Sequence, residues 1–513
     1  MAYYNSFAGP FVRDDVPAIA KNLAIRHLDK IGQILNPAPN SLVGGRPLLN
    51  LSYAFNYAIS GTSVWSYHAL NLAIHLLAGL LLFGVVRRTL LCPALRHRFG
   101  EAALPLAMTA AVLWVVHPLQ TEAVTYVSER AESLAGLLYL LTLYGFIRGC
   151  ASSRPHRWFV VSVMACGFGT LVKEIIVTAP LIVLLYDRTF VQGSFREAWR
   201  RHQWLYWGLM GSWFITIRLL MGIPGRGVGY GLGVGWRTYA LTECRVVVQY
   251  LRLAFCPYPL IFDYGTPWAK TAGEVMPYAC ILIVLLVGTG IALYWRPAIG
   301  FAGAWVFLIL APTSSVVPIV FLPMAEHRMY LPLAAIITLF VTGIYASIGP
   351  KSMIIFLALA AILGLATVRR NDDYHTEIAL WSDLLRKRPE YADAHVMVAI
   401  SLLHLGREAD AAVQFQEAEK LDPSLDASFD RIGAEMLKNG QAAEAMKYFK
   451  AALQMNPASA LTHYHLGLAY VQSGMAPAAI IQFQAALRIE PDLEPARRDL
   501  SRLQAEWAKT SAK

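Results

Sequence analysis

Apolar residues come in long unbroken blocks up to about residue 370, and beyond it the pattern turns half-polar and periodic. Ten blocks can be read, at about 66–86, 103–117, 131–148, 157–172, 174–187, 203–222, 276–295, 298–317, 330–348 and 352–368. Most approach the roughly 20 apolar residues that a helix needs to cross a bilayer. The fourth and fifth are short enough to form a broken pair. An amphipathic helix is expected over 48–59, just before the first block, and a helix begins near Val16-Pro17. Another helix, over 238–256, carries Arg245 and Arg252 among apolar residues and reads as interfacial.

The last part of the chain repeats. Pro389, Pro423, Pro457 and Pro491 recur every 34 residues, the period of tetratricopeptide helix pairs. Ala411, Phe415 and Ala418 align with Ala445, Phe449 and Ala452, and with Ala479, Phe483 and Ala486. Gly433 and Gly467, with Ala399 in the first copy, take the small site where the helices of a repeat touch. Phe is expected to fill the gap between neighbouring repeats, and Pro to stop the second helix. Trp381 and Leu384 form half a repeat, and 492–508 a capping helix exposing Arg497, Arg498 and Arg502. The fold class is therefore all-α: a polytopic helical membrane domain of about ten to eleven spans, then a C-terminal tetratricopeptide-repeat α-solenoid. The expected divisions are 1–65, a first outer loop, 66–370, the multi-span domain, and 371–513, the repeats.

Composition agrees. Of 513 residues, 15% are charged and 56% hydrophobic, with mean hydropathy +0.45. Soluble domains average about 25% charged residues. The net charge of +10 comes largely from arginines in short loops. That suits topology signalling, and no basic and aromatic cluster points to nucleic acid. The six cysteines show no CxxC or Cys/His metal spacing, although Cys244 and Cys256 are placed to pair across one loop. No cleavable signal peptide is visible.

Arg87, Arg88, Arg96, Arg98, Arg148, Arg154, Arg157, Arg188, Arg196, Arg200, Arg201, Arg296 and Lys351 fall on alternate connections, which are assigned to the cytoplasm. The other connections hold residues 1–65, His117 to Arg130, Lys173-Glu174, loop 223–275, Glu326-His327-Arg328 and, by parity, everything after 368. Arg369 and Arg370 run against the charge rule there, but several independent loops support the alternation. An even span count puts both ends outside, which implies a helix upstream of this reading frame. The expected location is the inner (cytoplasmic) membrane, multi-pass, with site and repeats on the periplasmic or extracytoplasmic face.

That face collects the candidate chemistry. Asp14 and Asp15 are cheap in an aqueous loop and offer a general base, or are simply helix-capping loop carboxylates. They lack a third ligand, so no metal is assigned. Arg46 stands in a Gly-Gly-Arg-Pro turn, either snorkelling or gripping phosphate. His117 precedes Glu122, Tyr126 and Arg130, whose spacing of four puts them on one helical face, either as an ion-pair ladder or as site residues. Lys173-Glu174 interrupts an apolar run, as a buried ion pair or as functional groups. Glu326, His327 and Arg328 lie between two spans. Carboxylates, arginines, a lysine and histidines at one water–membrane boundary suit group transfer from an anionic lipid. In loop 223–275, Gly225, Gly227, Gly229, Gly231, Gly233 and Gly235 alternate, as a mobile cover or a connector, without the Lys and Ser/Thr of a phosphate loop.

Phe-Val-x-Asp-Asp at 11–15, Arg46-Pro47-Leu48, Tyr67-His68 with Asn71 and His75, His117-Pro118 with Glu122-Ala123-Val124 and Arg130, Lys173-Glu174, Pro259-Leu260 with Asp263-Tyr264, and His327-Arg328-Met329-Tyr330-Leu331-Pro332 follow in this order. With the repeats behind them, the chain resembles the transmembrane and tetratricopeptide-repeat O-mannosyltransferases and their bacterial relatives, membrane glycosyltransferases of the GT-C fold. The resemblance implies an inverting transferase with a polyprenyl-phosphate sugar donor, a Ser or Thr acceptor on a protein held by the repeats, and Asp14 or Asp15 as base. The donor phosphate is expected among Arg46, Arg130, Lys173 and Arg328, with His117, Glu122, Glu174, Glu326 and His327 nearby. No cofactor is implied. Two departures stand out: the helix that usually precedes the acidic pair is absent, and Arg13 replaces a usual aromatic. Competing expectations are a transferase acting on lipid A or a surface polysaccharide, and a non-catalytic membrane scaffold.

Overall fold

The computed structural model describes residues 2–39, 41–220, 234–315, 317–319, 322–438 and 440–511. Gly225, Gly227, Gly229, Gly231 and Gly233 of the loop expected to be a cover or a connector lie outside them. The chain forms two units, Met1–Thr376 and Glu377–Lys513. The first 65 residues are not a separate body, since Tyr3, Val12, Ile19, Ile25 and Ile34 are all buried in the first unit. The first unit also extends past the expected boundary at 370, because the last apolar helix runs to Asp372 and Tyr374 remains buried.

Each apolar block forms helix over most of its described residues, and several end in turns, as at 311–315 after Leu310. The helices include Trp65–Leu90, Ala103–Val115, Arg130–Ala151, Pro155–Thr170, Ala179–Tyr186, Phe195–Leu220, Ala272–Trp295, Pro297–Leu310, Pro332–Ile348 and Ser352–Asp372. Prolines 47, 155, 297 and 332 stand at helix starts, where the missing N–H costs no internal hydrogen bond. Among the described residues, four helical stretches are long and apolar enough to cross a membrane, or five if the pair bent by 94° at residues 100–102 is one span. The remaining blocks are too short for that criterion or, like Phe195–Leu220, begin with several charges. The protein is a membrane protein, and the expected count of about ten to eleven spans goes beyond these four or five. One of the four is the 41-residue stretch Pro332–Asp372. It reverses at Gly349, whose φ of +64° suits a residue without Cβ. Arg370 near its end therefore reaches Glu326 just before its start, at 3.4 Å.

The helices share a polarity. Trp65–Leu90 carries the buried Tyr67 in its first turn and Arg87 and Arg88 in its last, and Arg130–Ala151 starts at Arg130 and has Arg148 in its last turn. One end of the first unit gathers acidic and mixed charge, the other arginine. Ala272–Trp295 is almost wholly exposed along its apolar window, and the Val127–Ala151 stretch is mostly buried. The first lies on the outside of the unit and the second in its interior.

The second unit is a run of helix pairs: Ala392–His404 with Glu408–Leu421, Leu425–Lys438 with Ala442–Met455, and Ala460–Gln472 with Ala476–Ile489. Glu377–Lys387 precedes them, burying Leu380, Trp381 and Leu384, and Glu494–Ser511 follows as the cap. Pro423, Pro457 and Pro491 each come just after a second helix ends. The repeat phenylalanines do more than fill gaps between repeats. A Cβ on Gly433 would meet Phe449 at 2.7 Å, and one on Gly467 would meet Phe483 at 2.5 Å, so each ring wedges inside its own repeat. Phe449 also packs with Leu466 and Ala469 of the next repeat.

Candidate active site

The acidic end is built from four pieces: residues 2–39 with 41–46, the turns around 117–130, the Lys173-Glu174 step and residues 322–331. Arg13 has φ +45°, an uncommon left-handed conformation outside glycine. That turn sends Asp14 and Asp15 to different environments. Asp15 is only 1% exposed. Its Oδ1 accepts the Ser128 N–H at 2.6 Å and its Oδ2 the Val12 N–H at 3.2 Å. Burial pushes its carboxyl up to about 7 against those two bonds. Asp15 thus fastens the N-terminal segment to the start of the Arg130–Ala151 helix.

Asp14 is exposed. Its backbone N–H donates to the Tyr126 hydroxyl at 3.0 Å. Desolvation by the surrounding protein raises its carboxyl above the ordinary value, Arg13 opposes the rise, and Glu129 adds to it. Tyr126 and the Arg13 guanidinium both pack on Phe262, at 5.4 and 5.6 Å.

Glu122, Tyr126 and Arg130 do not share one helical face. The helix Thr121–Thr125 ends, Tyr126 is extended with ψ 112°, and a new helix starts at Arg130. The break separates their partners. Glu122 lies 3.1 Å from His327 Nδ1 and accepts the His327 N–H at 2.8 Å. Arg130 is fully buried and donates to Asn71 Oδ1 at 2.6 Å, Ser52 Oγ at 3.0 Å and the Tyr67 carbonyl at 3.1 Å, with its guanidinium over Tyr53. It organises the floor from beneath.

Lys173 and Glu174 also part company. Lys173 Nζ sits 2.5 Å from Glu132 and 3.8 Å from Glu129, whereas Glu174 lies 3.7 Å from Arg46. Glu129, missed in the sequence, is the hub. His327 Nδ1 is 3.6 Å away, and its carboxylate feels the charges of His327, Lys173, Arg46 and Arg328. Burial works against a charge on His327, but Glu129 and Glu122 outweigh it and hold the imidazolium above the ordinary histidine range. Glu129 and Glu132 were legible only as charges opening an apolar run, the kind of position that marks function inside membranes. Glu129, Glu132 and His327 bring donor atoms within 4.8 Å of one another, a spacing that suits a cation. The Lys173 ammonium lies against two of these three.

Three expected site residues face elsewhere. Arg328 donates to the carbonyls of Leu322, Pro323 and Thr313. Glu326 Oε1 accepts from the Ile261 N–H at 2.7 Å and the Tyr264 hydroxyl at 2.9 Å, beside Arg370. His117 caps the next turn through the Leu119 N–H and donates from Nε2 to the Ala254 carbonyl at 3.2 Å. The four expected phosphate cations therefore do not converge as one set of free groups: Arg46 and Lys173 line the acidic end beside carboxylates, Arg130 lies under it, and Arg328 turns to carbonyls. Arg370, awkward for the charge rule, is absorbed by Glu326 and by Asp373 at 3.0 Å. Cys244 and Cys256 are both free.

Tetratricopeptide-repeat models match residues 369–426 and 436–506. A Caenorhabditis elegans protein named protein O-mannosyl-transferase F38B6.6 is 24% identical over 444 residues, 82% of this chain and 61% of that one. Human protein O-mannosyl-transferase TMTC1 is 23% identical over 506 residues, 84% of this chain and 55% of that one. Human TMTC2, of the same description, is 32% identical over 198 residues, 36% of this chain and 22% of that one. The chain spans from about a fifth to three fifths of the length of these curated relatives. A solved structure titled as the APC/C hetero-tetramer Cut9-Hcn1 matches at 12% identity over 96% of both chains, with a TM-score of 0.18, a likeness too slight to bear on the fold.

Proposed function

We propose, from a chain that is a homologue of the protein O-mannosyl-transferases over more than four fifths of its length, that this is a membrane glycosyltransferase moving a sugar, a hexose such as mannose, from a polyprenyl-phosphate donor to Ser or Thr hydroxyls of exported protein. Asp14 is the base. It takes the acceptor hydroxyl proton as the oxygen bonds to the anomeric carbon. The bond from that carbon to the phosphate oxygen breaks, and its electron pair leaves with the polyprenyl phosphate. One displacement inverts the anomeric centre. The observation that carries this reading is the split between the two carboxylates: Asp14 open to solvent, Asp15 buried with both oxygens committed.

The leaving phosphate is received beside Lys173, His327 and Arg46, taking over contacts that the Glu129 carboxylate holds in this structure. Preplaced positive charge at a developing anion lowers the barrier without reorganisation. Arg130 holds the floor through Asn71 and Tyr67 and touches neither substrate. The repeats bind the acceptor protein, as stacked helix pairs commonly bind peptides. The arginine-rich helix ends face the cytoplasm of an inner membrane, and the acidic end faces outward.

The test uses full-length protein in nanodiscs with polyprenyl-phosphate mannose and a Ser/Thr peptide or exported protein. Asp14→Asn is expected to lower turnover roughly 10²- to 10⁴-fold with wild-type melting. Asp15→Asn lowers the melting temperature. Wild-type turnover in folded Asp14→Asn ends the base assignment. Removing 377–513 is expected to abolish modification of the protein acceptor; undiminished transfer would remove the repeats from acceptor binding.

A further inference from the structure

The arginine-rich end holds a cavity of about 680 Å³ among the first unit's helices. One wall is a stripe of small residues on Pro332–Ile348: Ala335, Thr338, Thr342 and Ala346. Their spacing of three and four puts them on one helical face. The facing wall is apolar, with Val86, Leu90, Phe190 and Phe301. Trp305 lines the deep end and is nearly buried, its indole N–H donated to the Leu331 carbonyl at 2.8 Å. The polar pair Thr89 and Tyr186 is satisfied internally at 2.8 Å.

Charge is confined to one region. His97, Arg98 and Arg296 line the cavity and are exposed, and no Asp or Glu is among its lining residues. Neither arginine makes an ion pair among the described residues. Asp187, adjacent to lining residues, is spent on His202 at 2.7 Å and Tyr206 at 2.6 Å. From Ala334 to Ser347 the lining follows roughly 20 Å of helix. That matches or exceeds one leaflet's share of a hydrocarbon core about 30 Å thick. Along Trp65–Leu90, Leu90 lies roughly 35 Å from Tyr67 at the acidic end, so this is a separate site.

We propose that the cavity binds an anionic phospholipid, one acyl chain lying along the small-residue stripe and the phosphate held by Arg98 and Arg296. The apolar walls exclude a water-soluble ligand, and the unpaired guanidinium groups select a negative headgroup over a zwitterion. Basic pockets between membrane helices recognise anionic lipids in this way. The site does not depend on the transferase reading.

The experiment is native mass spectrometry of the full chain released from nanodiscs of equal phosphatidylglycerol and phosphatidylcholine, with polyprenyl phosphate added in a second arm. Wild type is expected to retain phosphatidylglycerol preferentially. Arg98→Gln with Arg296→Gln should weaken that retention roughly 30-fold. Ala346→Phe, which fills the stripe and leaves both arginines, should lose the lipid while melting as wild type. Equal retention of both phospholipids, retention unchanged in both variants, or displacement by polyprenyl phosphate at equal concentration would each overturn the assignment.

Discussion

Lys173 is the sharpest test of how the acidic end is held together. Replacing it with methionine keeps most of the stem and removes one positive charge 2.5 Å from Glu132 and 3.8 Å from Glu129. At an effective dielectric of about 20, those contacts correspond to roughly 7 and 4 kcal/mol. Desolvating the ammonium and the carboxylates takes back several kcal/mol per ion. What Lys173→Met exposes is the stranded Glu132, only 2% exposed, and breaking such a buried pair costs about 3–5 kcal/mol. For a unit of this size that is a fall of roughly 5–10 °C in melting temperature. The assay is thermal melting of the full chain in one detergent, with Glu132→Gln and the double variant completing a cycle. The double variant should recover at least about 2 kcal/mol relative to the sum of the single losses. If Lys173→Met melts within a degree of wild type and the double variant is additive, the ion pairs contribute nothing and the argument fails.

His327 gives a pH test. Its raised affinity for the proton means its ion pairs with Glu122 and Glu129 are complete below the unfolded value of 6.5 and fade as pH rises through the higher folded value. Melting temperature should therefore drop between pH 6 and 9, and His327→Gln should flatten that drop; an identical slope in the variant counts against it. Asp15 acts at lower pH with the same sign: the folded state binds more protons between 3.8 and about 7, so stability falls as pH rises through that window, and Asp15→Asn should remove that component from the melting profile. Glu129→Gln should bind polyprenyl phosphate about tenfold tighter in a displacement assay, because it removes a competing anion; weaker binding would place the phosphate elsewhere. Gly467→Ala should cost about 1–3 kcal/mol through its clash with the buried Phe483 ring, more than the roughly 1 kcal/mol gained in helix propensity, and should speed proteolysis within 460–489.

What the sequence revealed was whatever is local or periodic. The 34-residue ruler found the repeats, and it would also have found Gly406, Gly440 and Gly474, whose φ values of 72°, 77° and 74° turn the chain inside each repeat. Apolar blocks found the helices. The site was only half legible because its decisive contacts join distant residues. Asp15 meets Ser128 across 113 positions, and His327 meets Glu122 across 205. Spacing suggested a face shared by Glu122, Tyr126 and Arg130, but the extended Tyr126 broke it. Residue type suggested that Arg130 grips phosphate, although its full burial commits it to Asn71 and Tyr67. The difference in burial between Asp14 and Asp15 follows the positive φ of Arg13, which no neighbouring residue announces.

Asn5 donates to the Val368 carbonyl at 2.9 Å and to Asp372 at 2.8 Å, while Asn371 donates to the Ala2 carbonyl at 2.9 Å and His375 bonds the Asn5 carbonyl at 2.7 Å. The polypeptide leaving the last apolar helix is thus stitched to the strip that carries Asp14. Tension applied to the chain near residue 376 is delivered through these side chains instead of being absorbed by slack. A pull on the C-terminal portion would be felt, mechanically, at the segment that carries Asp14.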